Sequence, residues 1–342
     1  MNLLSEVQEK VKAPAFLDKL GLSPQSEISC SPLGQGEYNA NFLLQLPDGE
    51  KRVLRLNFGS QMHLEEQIAY EFNALKLLET SGRTPQVYFY DESCQHFSRP
   101  YLLMEFLPGR PLRYESDLPY AAAILADIHA VPLPKDHGLI VPEAPAYAIF
   151  QECEEMASQY FDWDKGKKEV KELLREMFEV IAKLPLQSPP GGHSCLVNTE
   201  LNSGNFLINS PKGKDYLIDW EKPLFSEPAQ DLAHFLVPTT TFWKTDVILT
   251  PQQIQNFYQS YVEAVAGRFT LEGLEERLAL YFRTTCLRGI SWCSMALREY
   301  ESPGRSLRNQ DTYLKIKSYL EMDFLENILE NYMKKDFLSE KV

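Results

Sequence analysis

Three polar residues in one loop-rich segment could together bind a divalent cation and a substrate hydroxyl group. Glu200 is followed five residues later by Asn205, and Asp219 ends the next apolar stretch, Leu217-Ile218. Carboxylate and amide oxygens suit Mg²⁺, which keeps several waters and takes its remaining ligands from phosphates. Taken singly, Asn and Asp are also common turn formers, because their side chains bond nearby backbone. The spacing therefore indicates phosphate chemistry only if the three side chains act together.

A glycine-containing turn near the start of the chain is a second candidate. Leu33-Gly34-Gln35-Gly36-Glu37-Tyr38-Asn39 lies between two strand-like stretches. Glycine lets such a turn pass close over phosphate groups. A plain β-hairpin explains the two glycines at least as well, so the turn by itself assigns no function.

The elements around this turn are predicted to form an antiparallel sheet crossed by one helix. An amphipathic helix opens the chain, and Leu64–Leu78 carries apolar residues at helical spacing. The stretch from Tyr101 to Phe106 is nearly all apolar and should be a buried strand, and Glu105–Gly109 should be a hinge between lobes. The five predicted strands are Ser31–Gly34, Asn39–Leu46, Lys51–Leu56, Gln86–Tyr90 and Tyr101–Phe106.

Beyond the hinge the pattern becomes mainly helical. One β-like island, Ser194 to Trp220, interrupts it and contains the three polar residues described first. The predicted domains are accordingly residues 1–106 and residues 107–342. The predicted helices are Tyr120–Ala130, the stretches around Phe150–Tyr160 and Lys167–Leu184, and Pro251–Ala266, Leu271–Leu297 and Asp311–Met333.

Length and charge exclude several classes of protein. The chain has 342 residues, which favours two lobes with a sizeable core. Its formal net charge of −14 argues against a protein that grips nucleic-acid phosphates. No stretch approaches the roughly 20 apolar residues of a membrane-spanning helix. The six cysteines form no CxxC pair or zinc-ligand pattern, and we expect a cytoplasmic protein. Because of the charge and the lack of a long apolar stretch, we expect no nucleic-acid or membrane partner.

The island resembles the catalytic and metal-binding loops of the aminoglycoside phosphotransferase and choline kinase families. Those families carry a His-x-Asp-x-x-x-x-Asn loop followed by an Ile-Asp-Trp/Phe-Glu segment. Here the loop runs from Asn198 to Asn205, and Leu217-Ile218-Asp219-Trp220-Glu221 follows it. Glu227 to Ala233 is similar to the families' Asp-Pro-x-x-Asp-Leu-Ala element, in which Asp231 would brace the catalytic loop. The resemblance implies an α+β, two-lobed protein-kinase-like fold, with a five-stranded antiparallel N-lobe and a mainly helical C-lobe.

The resemblance also implies roles for individual residues. Asn205 and Asp219 would hold Mg²⁺ against the phosphates of ATP, and Arg55, paired with Glu71, would bind the α- and β-phosphates. The turn residues Gly34, Gly36 and Asn39 would cover the phosphates. The hinge residues Glu105, Phe106 and Leu107 would bond the adenine edge through their backbone.

Two positions depart from the families' pattern. Asn198 stands where His is usual, and Glu200 stands where the catalytic Asp is expected. The extra methylene moves the carboxylate by about a bond length, and a misplacement near 1 Å can cost roughly 100-fold in rate. A Glu could still serve, because positioning and electrostatics dominate phosphoryl transfer.

The sequence thus predicts an ATP- and Mg²⁺-dependent transfer of the γ-phosphoryl group to a hydroxyl of a small molecule. Glu200, helped by Asn198, would act on the acceptor's proton, and the acceptor could be a cationic amino-alcohol or an aminosugar. The alternative is an ATP-binding regulatory protein that has lost transfer activity. A protein kinase fits less well, because Asp219-Trp220-Glu221 stands in place of Asp-Phe-Gly. The chain would act as a monomer or a homodimer.

Overall fold

The computed structural model describes residues 3–36, 38–302 and 310–335 of the chain. Glu37, part of the predicted glycine turn, lies outside the described residues. The chain divides into two compact units. The first unit contains Met1–Pro111, Val131–Leu139 and Phe206–Pro223, and the second contains Leu112–Ala130, Ile140–Asn205 and Leu224–Val342.

The first unit is built on a five-stranded antiparallel sheet, as the sequence predicts, and the structure adds the strand order β1-β2-β3-β5-β4. A second, three-stranded sheet has the order β6-β8-β9. The bounds are α1 Leu3–Lys10, α2 Pro14–Lys19, β1 Ser29–Gln35, β2 Asn39–Gln45, β3 Lys51–Asn57, α3 Gln67–Leu78, β4 Val87–Asp91, β5 Tyr101–Glu105, β6 Arg110–Pro111, β8 Phe206–Ile208 and β9 Tyr216–Leu217.

The N-terminal segment forms two helices instead of the one predicted. Pro14 stands at the first position of α2, where its missing N–H costs nothing, and it prevents α1 from continuing. Val7, Phe16 and Leu17 are almost fully buried in the core formed with the sheet. These helices therefore stabilise the sheet that carries Arg55.

Gly109, in the hinge segment after β5, is required by a close approach of two backbone segments. Its φ is 147°, and a Cβ atom built on it would lie 2.7 Å from Leu207 Cβ and 2.9 Å from the Leu207 carbonyl carbon. A side chain here would force the neighbouring strand β8 to move. The hinge path after β5 thus depends on glycine.

The second unit is mainly helical, as predicted, with one short pair of strands. Its longest helix, α10, packs against α5 and α7. Within the described ranges, no helix is long and apolar enough to span a bilayer. The bounds are α4 Leu118–His129, α5 Pro145–Phe161, α6 Lys168–Ala182, β7 Cys195–Val197, β10 Leu224–Ser226, α7 Pro228–Leu236, α8 Pro238–Lys244, α9 Pro251–Val265, α10 Leu274–Glu301, α11 Gln310–Tyr319 and α12 Met322–Ile328.

The prediction of one helix over 311–333 is wrong. The structure ends α11 at Tyr319, begins α12 at Met322, and finishes with a π-helical turn over Leu329–Met333. Glu321 adopts an extended conformation (φ −73°, ψ 139°) and so breaks the helical path. The apolar spacing continues through this break because both helices pack on one core cluster, which contains Tyr319 of α11 and has Phe324 of α12 packed against it.

Candidate functional site

Arg55 lies at the centre of a buried hydrogen-bond network in the first unit. It stands on β3 opposite Asn41 of β2, and its Nε donates to Asn41 Oδ1 (3.0 Å). One terminal nitrogen donates to Glu71 Oε1 on α3 (2.5 Å), and the other donates to Asp219 Oδ1 after β9 (3.1 Å). The structure therefore joins three residues that the sequence separates by up to 164 positions.

The burial of this network decides its electrostatics. The Arg55 side chain is 6% exposed and the Glu71 side chain is 1% exposed. Burial opposes the charge of Arg55, but the carboxylates of Glu71 and Asp219 raise the pKa of its guanidinium above the usual value. Burial also raises the pKa of the Glu71 carboxyl, with Arg55 opposing the shift. Arg55 and Glu71 therefore form a buried ion pair, unlike exposed ion pairs, which contribute about 0–1 kcal/mol to the free energy of unfolding.

Asp219 is held in a left-handed backbone conformation. Its φ is 68°, and its side chain is 35% exposed. Asp adopts positive φ more readily than most residues, but the conformation still costs free energy and is concentrated at functional sites. The strain at Asp219 therefore supports a functional role for the turn that follows β9.

The predicted phosphate-covering turn is anchored through Asn39. The Asn39 side chain is buried: its Nδ2 donates to Glu221 Oε2, and its Oδ1 accepts from Asn57 Nδ2 (3.0 Å). The Gly36 N–H donates to the Asn39 carbonyl oxygen (2.8 Å), and a Cβ at Gly34 would meet no atom within 4 Å. Asn39 thus acts inside the protein, where it connects the turn to the segment that carries Asp219.

The predicted hinge residues use part of their backbone within the sheet. The Glu105 N–H donates to the Gln86 carbonyl (2.8 Å), and the Phe106 N–H is 3.4 Å from the Lys51 carbonyl oxygen. Within the part of the chain that the structure describes, the Leu107 N–H has no such backbone partner. Among these three hinge residues, Leu107 is therefore the one whose N–H the sheet does not use.

In the second unit, Asp231 holds the loop that contains Asn198 and Glu200. Its buried carboxylate accepts the N–H groups of Asn198 (2.8 Å to Oδ2) and Thr199 (2.8 Å to Oδ1). His129 Nε2 lies 3.3 Å from Asp231 Oδ2. Thr199 has a φ of 68°, which is rare for a β-branched residue. Asp231 thus stabilises a strained backbone directly before Glu200.

Asn198 and Asn205 fix the backbone of Glu200. The Glu200 N–H donates to Asn198 Oδ1 (3.1 Å), and Asn205 Nδ2 donates to the Glu200 carbonyl oxygen (3.0 Å). The Asn198 side chain is fully buried. Asn198 therefore supplies a hydrogen bond that organises the loop at the position where a His was expected.

Asn205 and Asp219 offer oxygen atoms of the kind that Mg²⁺ prefers. Because Asn205 Nδ2 donates to Glu200, the amide Oδ1 is the atom left for a cation. The Asp219 carboxylate is partly exposed to solvent. Each of these oxygens, taken separately, is of the kind that binds Mg²⁺, whose remaining ligands are usually waters and phosphate oxygens. The described residues contain no group of three or more His, Cys, Asp or Glu side chains that could hold a metal ion.

Arg288 and Glu152 are site neighbours that the sequence reasoning missed. A terminal nitrogen of Arg288, on α10, lies 3.3 Å from Glu200 Oε1, and Arg288 also binds Glu152 of α5 through two hydrogen bonds. No spacing rule connects residues 88 positions apart on different elements. Arg288 is one of four arginines on α10, so residue type alone does not distinguish it.

A comparison with protein-family models gives one match of direct relevance to this site. The model of the phosphotransferase enzyme family matches residues 29–275, which include all of the predicted site residues. The comparison with curated proteins gives no match.

Solved structures with the same fold include kinases and antibiotic phosphotransferases. The ethanolamine kinase of Plasmodium vivax has a TM-score of 0.60 at 13% identity, over 91% of this chain and 87% of its own. A spectinomycin phosphotransferase in complex with ADP and spectinomycin has a TM-score of 0.59 at 15% identity, over 88% and 91%. A choline/ethanolamine kinase family protein from Mesorhizobium loti has a TM-score of 0.59 at 14% identity, over 98% and 97%. At these identities the likeness establishes the kinase-like fold.

Proposed function

The chain belongs to the phosphotransferase enzyme family, and on that basis we propose that it transfers the γ-phosphoryl group of ATP to a hydroxyl group of a small molecule. The family match and the kinase-like fold support a small-molecule phosphotransferase. We further propose that the nucleotide is ATP, that the metal is Mg²⁺ and that the acceptor is a small hydroxyl compound.

The residues of the first unit would bind the nucleotide. Arg55, permanently charged and fixed by Glu71, would hold the α- and β-phosphates, and the turn at Gly34 and Gly36 would cover them. The Leu107 N–H would donate to the adenine edge, and the carbonyl groups of the hinge would accept from it. The spectinomycin phosphotransferase with bound ADP is a structure of the same fold that holds an adenine nucleotide.

Asn205 and Asp219 would hold the magnesium ion. When bound, the ion would supply positive charge that offsets the negative charge developing on the phosphate groups during transfer. In the described structure Asp219 Oδ1 already accepts a hydrogen bond from Arg55. Arg55 therefore fixes the Asp219 carboxylate next to its own phosphate-binding group.

Glu200 would accept the proton of the acceptor hydroxyl. The acceptor oxygen attacks the γ-phosphorus while the bond between that phosphorus and the β–γ bridging oxygen breaks, and ADP leaves with the bonding electrons. The proton of the hydroxyl passes to the Glu200 carboxylate. Asn198 and Asp231 keep the loop in place during this step through the hydrogen bonds to its backbone.

The Arg55 network is the single observation that carries this proposal. A buried guanidinium that bonds both a helix carboxylate and a strained, partly exposed aspartate is an expensive arrangement for stability alone. Its chemistry suits a triphosphate, because the cation and the metal-binding carboxylate are adjacent and fixed.

The test is turnover with a panel of amino-alcohols, aminosugars and sugars, for the wild type and for Glu200→Gln. We expect ADP formation that depends on one class of acceptor and is lost in Glu200→Gln, while both proteins gain thermal stability with Mg-ATP. A ligand at 100 times its dissociation constant adds about 2.7 kcal/mol of stability. Glu172→Gln is the matched control, because that carboxylate is 59% exposed on α6 and contacts only Lys168 among the ion pairs of the described residues. Unchanged turnover in Glu200→Gln would remove the carboxylate from this role.

A regulatory nucleotide-binding protein without transfer activity is the second candidate. The ion pair between Glu200 and Arg288 favours it, because that contact occupies one carboxylate oxygen of the residue proposed as the base. This candidate predicts a gain in melting temperature with Mg-ATP and no transfer to any acceptor. The turnover panel therefore distinguishes the two functions.

The proposal also covers the cellular compartment and the class of acceptor. All six cysteines are free thiols, which fits the reducing cytoplasm that we propose for the protein. The acceptor would be a small hydroxyl compound, with amino-alcohols and aminosugars as the first classes to test. The oligomeric state, monomer or homodimer, stays a prediction.

A further inference from the structure

The position of the Glu200 carboxylate needs an explanation, because a glutamate has one more rotatable bond than the aspartate expected there. Both ends of its backbone are fixed by the amides of Asn198 and Asn205. Those backbone bonds do not by themselves set the rotamer of the side chain. A reactive group displaced by about 1 Å can lose roughly 100-fold in rate.

Arg288 is placed to restrict these rotamers. One of its terminal nitrogens lies 3.3 Å from Glu200 Oε1, and its side chain is 19% exposed. The guanidinium is itself fixed by a two-point contact with Glu152: Nε donates to Oε2 (2.8 Å) and the same terminal nitrogen donates to Oε1 (3.2 Å). A bidentate contact sets the plane of a guanidinium as well as its distance.

Glu152 and Arg288 are carried by two helices that pack against each other. Glu152 lies on α5 and Arg288 lies near the middle of α10, and the two helices pack along one another. Sites built on packed helices hold side chains more precisely than sites on loops. The Glu152–Arg288 pair therefore gives the carboxylate of the loop residue Glu200 a contact that is anchored on two packed helices.

We propose that Arg288 is a positioning residue that sets the Glu200 carboxylate in its reactive place, with Glu152 as the support that fixes Arg288. The inference rests on the proposed function, in which Glu200 receives the acceptor proton. It explains how a glutamate serves where the family pattern has an aspartate: the longer side chain is held by a cation that comes from another helix. Burial opposes the charge of Arg288, but the carboxylates of Glu152 and Glu200 raise its pKa, so the cation is permanent.

The chain offers a matched control on the same two helices. Arg298, further along α10, donates to Gln159 Oε1 on α5 (3.0 Å) and so bridges the same helix pair without a bond to Glu200. Arg298→Met should reproduce the loss of one α5–α10 contact and leave the turnover number near that of the wild type.

The experiment compares kcat, the KM for Mg-ATP and the melting temperature across Arg288→Met, Arg288→Lys, Glu152→Gln and Arg298→Met. We expect Arg288→Met to lower kcat by roughly 100-fold with the KM for Mg-ATP unchanged. Glu152→Gln and Arg288→Lys should fall between Arg288→Met and the wild type. A fifth variant, Arg288→Ala, tests chemical rescue: added guanidinium ion should restore part of its kcat.

The outcomes separate the inference from the function on which it rests. If the wild type turns over and Arg288→Met loses no more kcat than Arg298→Met, the positioning role is wrong while the proposed function stands. If the wild type turns over no acceptor, the proposed function fails, and crystal structures of the wild type and Arg288→Met then decide about positioning. A Glu200 carboxylate that keeps its place in the variant overturns the inference, and one that shifts or becomes disordered supports it.

Discussion

Removing the Arg55 guanidinium tests the proposed nucleotide-binding residues most directly. Arg55→Met keeps the length and apolar part of the side chain but deletes the bonds to Asn41, Glu71 and Asp219. Glu71 is then left in the core without its charge partner, and its Oε2 is already buried without a partner among the described residues.

The burial of both partners sets the magnitude. Removing one partner of a buried ion pair costs about 3–5 kcal/mol, because the remaining charge is uncompensated. An exposed pair would cost about 0–1 kcal/mol. Since the two side chains are 6% and 1% exposed, we expect the larger loss in the free energy of unfolding of Arg55→Met. Replacing both residues, Arg55→Met with Glu71→Met, should recover most of the loss, because apolar side chains can fill the same space.

Urea denaturation monitored by circular dichroism measures these free energies, and a melt with Mg-ATP measures nucleotide binding. Arg52→Met is the matched control on the same strand, because the side chains of Arg52 and its partner Glu50 are 15% and 39% exposed, more than those of Arg55 and Glu71. That variant should lose about 1 kcal/mol or less and keep its gain in melting temperature with Mg-ATP. Arg55→Met should lose that gain. A loss in Arg55→Met no larger than in Arg52→Met would refute the reasoning.

Four further predictions concern the loop, pH and the thiols. Asp231→Asn should lose about 1–3 kcal/mol of stability together with most transfer activity, because an N–H of the loop is left without its acceptor. Thr199→Gly should raise the free energy of unfolding by about 1 kcal/mol, since glycine adopts a φ of 68° without strain. Burial raises the pKa of the Glu71 carboxyl from 4.5 to about 7, so the folded state holds this proton more tightly than the unfolded chain, and the free energy of unfolding should fall as the pH rises from 4.5 through 7; Glu71→Gln should flatten this dependence. A thiol reagent should label only Cys94 in the folded protein, because the other five cysteines are buried.

Each of these predictions has its own control and contradicting result. Equal stability of Asp231→Asn and the wild type would mean that the loop does not depend on that carboxylate. Thr250 has an ordinary φ of −71°, so Thr250→Gly should give no gain, and a gain there would make the Thr199 result uninformative about strain. A pH dependence unchanged by Glu71→Gln would assign the titration to another group. Labelling of Cys94→Ser in the folded state would show that a second thiol is accessible.

The sheet and most helices could be predicted from the sequence because each has a local signal. The strands alternate or are continuously apolar between turn residues, and α3 shows helical spacing. The break at Glu321 carries no such signal, because it contains neither Gly nor Pro and the apolar spacing continues across it. The positions of the helices along the chain were therefore predicted better than the break between α11 and α12.

Some residues of the candidate site could be predicted from the sequence, and others could not. Family motifs led to Arg55, Glu71 and Asp219, and the structure brings these residues into contact. The internal role of Asn39 could not be predicted, because its contact with Glu221 joins two segments 182 residues apart. Arg288 was missed for the same physical reason: tertiary packing of α10, and no local pattern, places it beside Glu200.

The measurement that tests the central claim most directly is ³¹P NMR of the full chain with Mg-ATP and the acceptor panel. The proposed function predicts a new phosphomonoester resonance with one class of acceptor, growing in step with ADP as the γ-phosphate signal of ATP declines. A spectrum in which ATP stays intact with every acceptor, while melting shows that Mg-ATP is bound, would contradict transfer activity and favour the regulatory alternative.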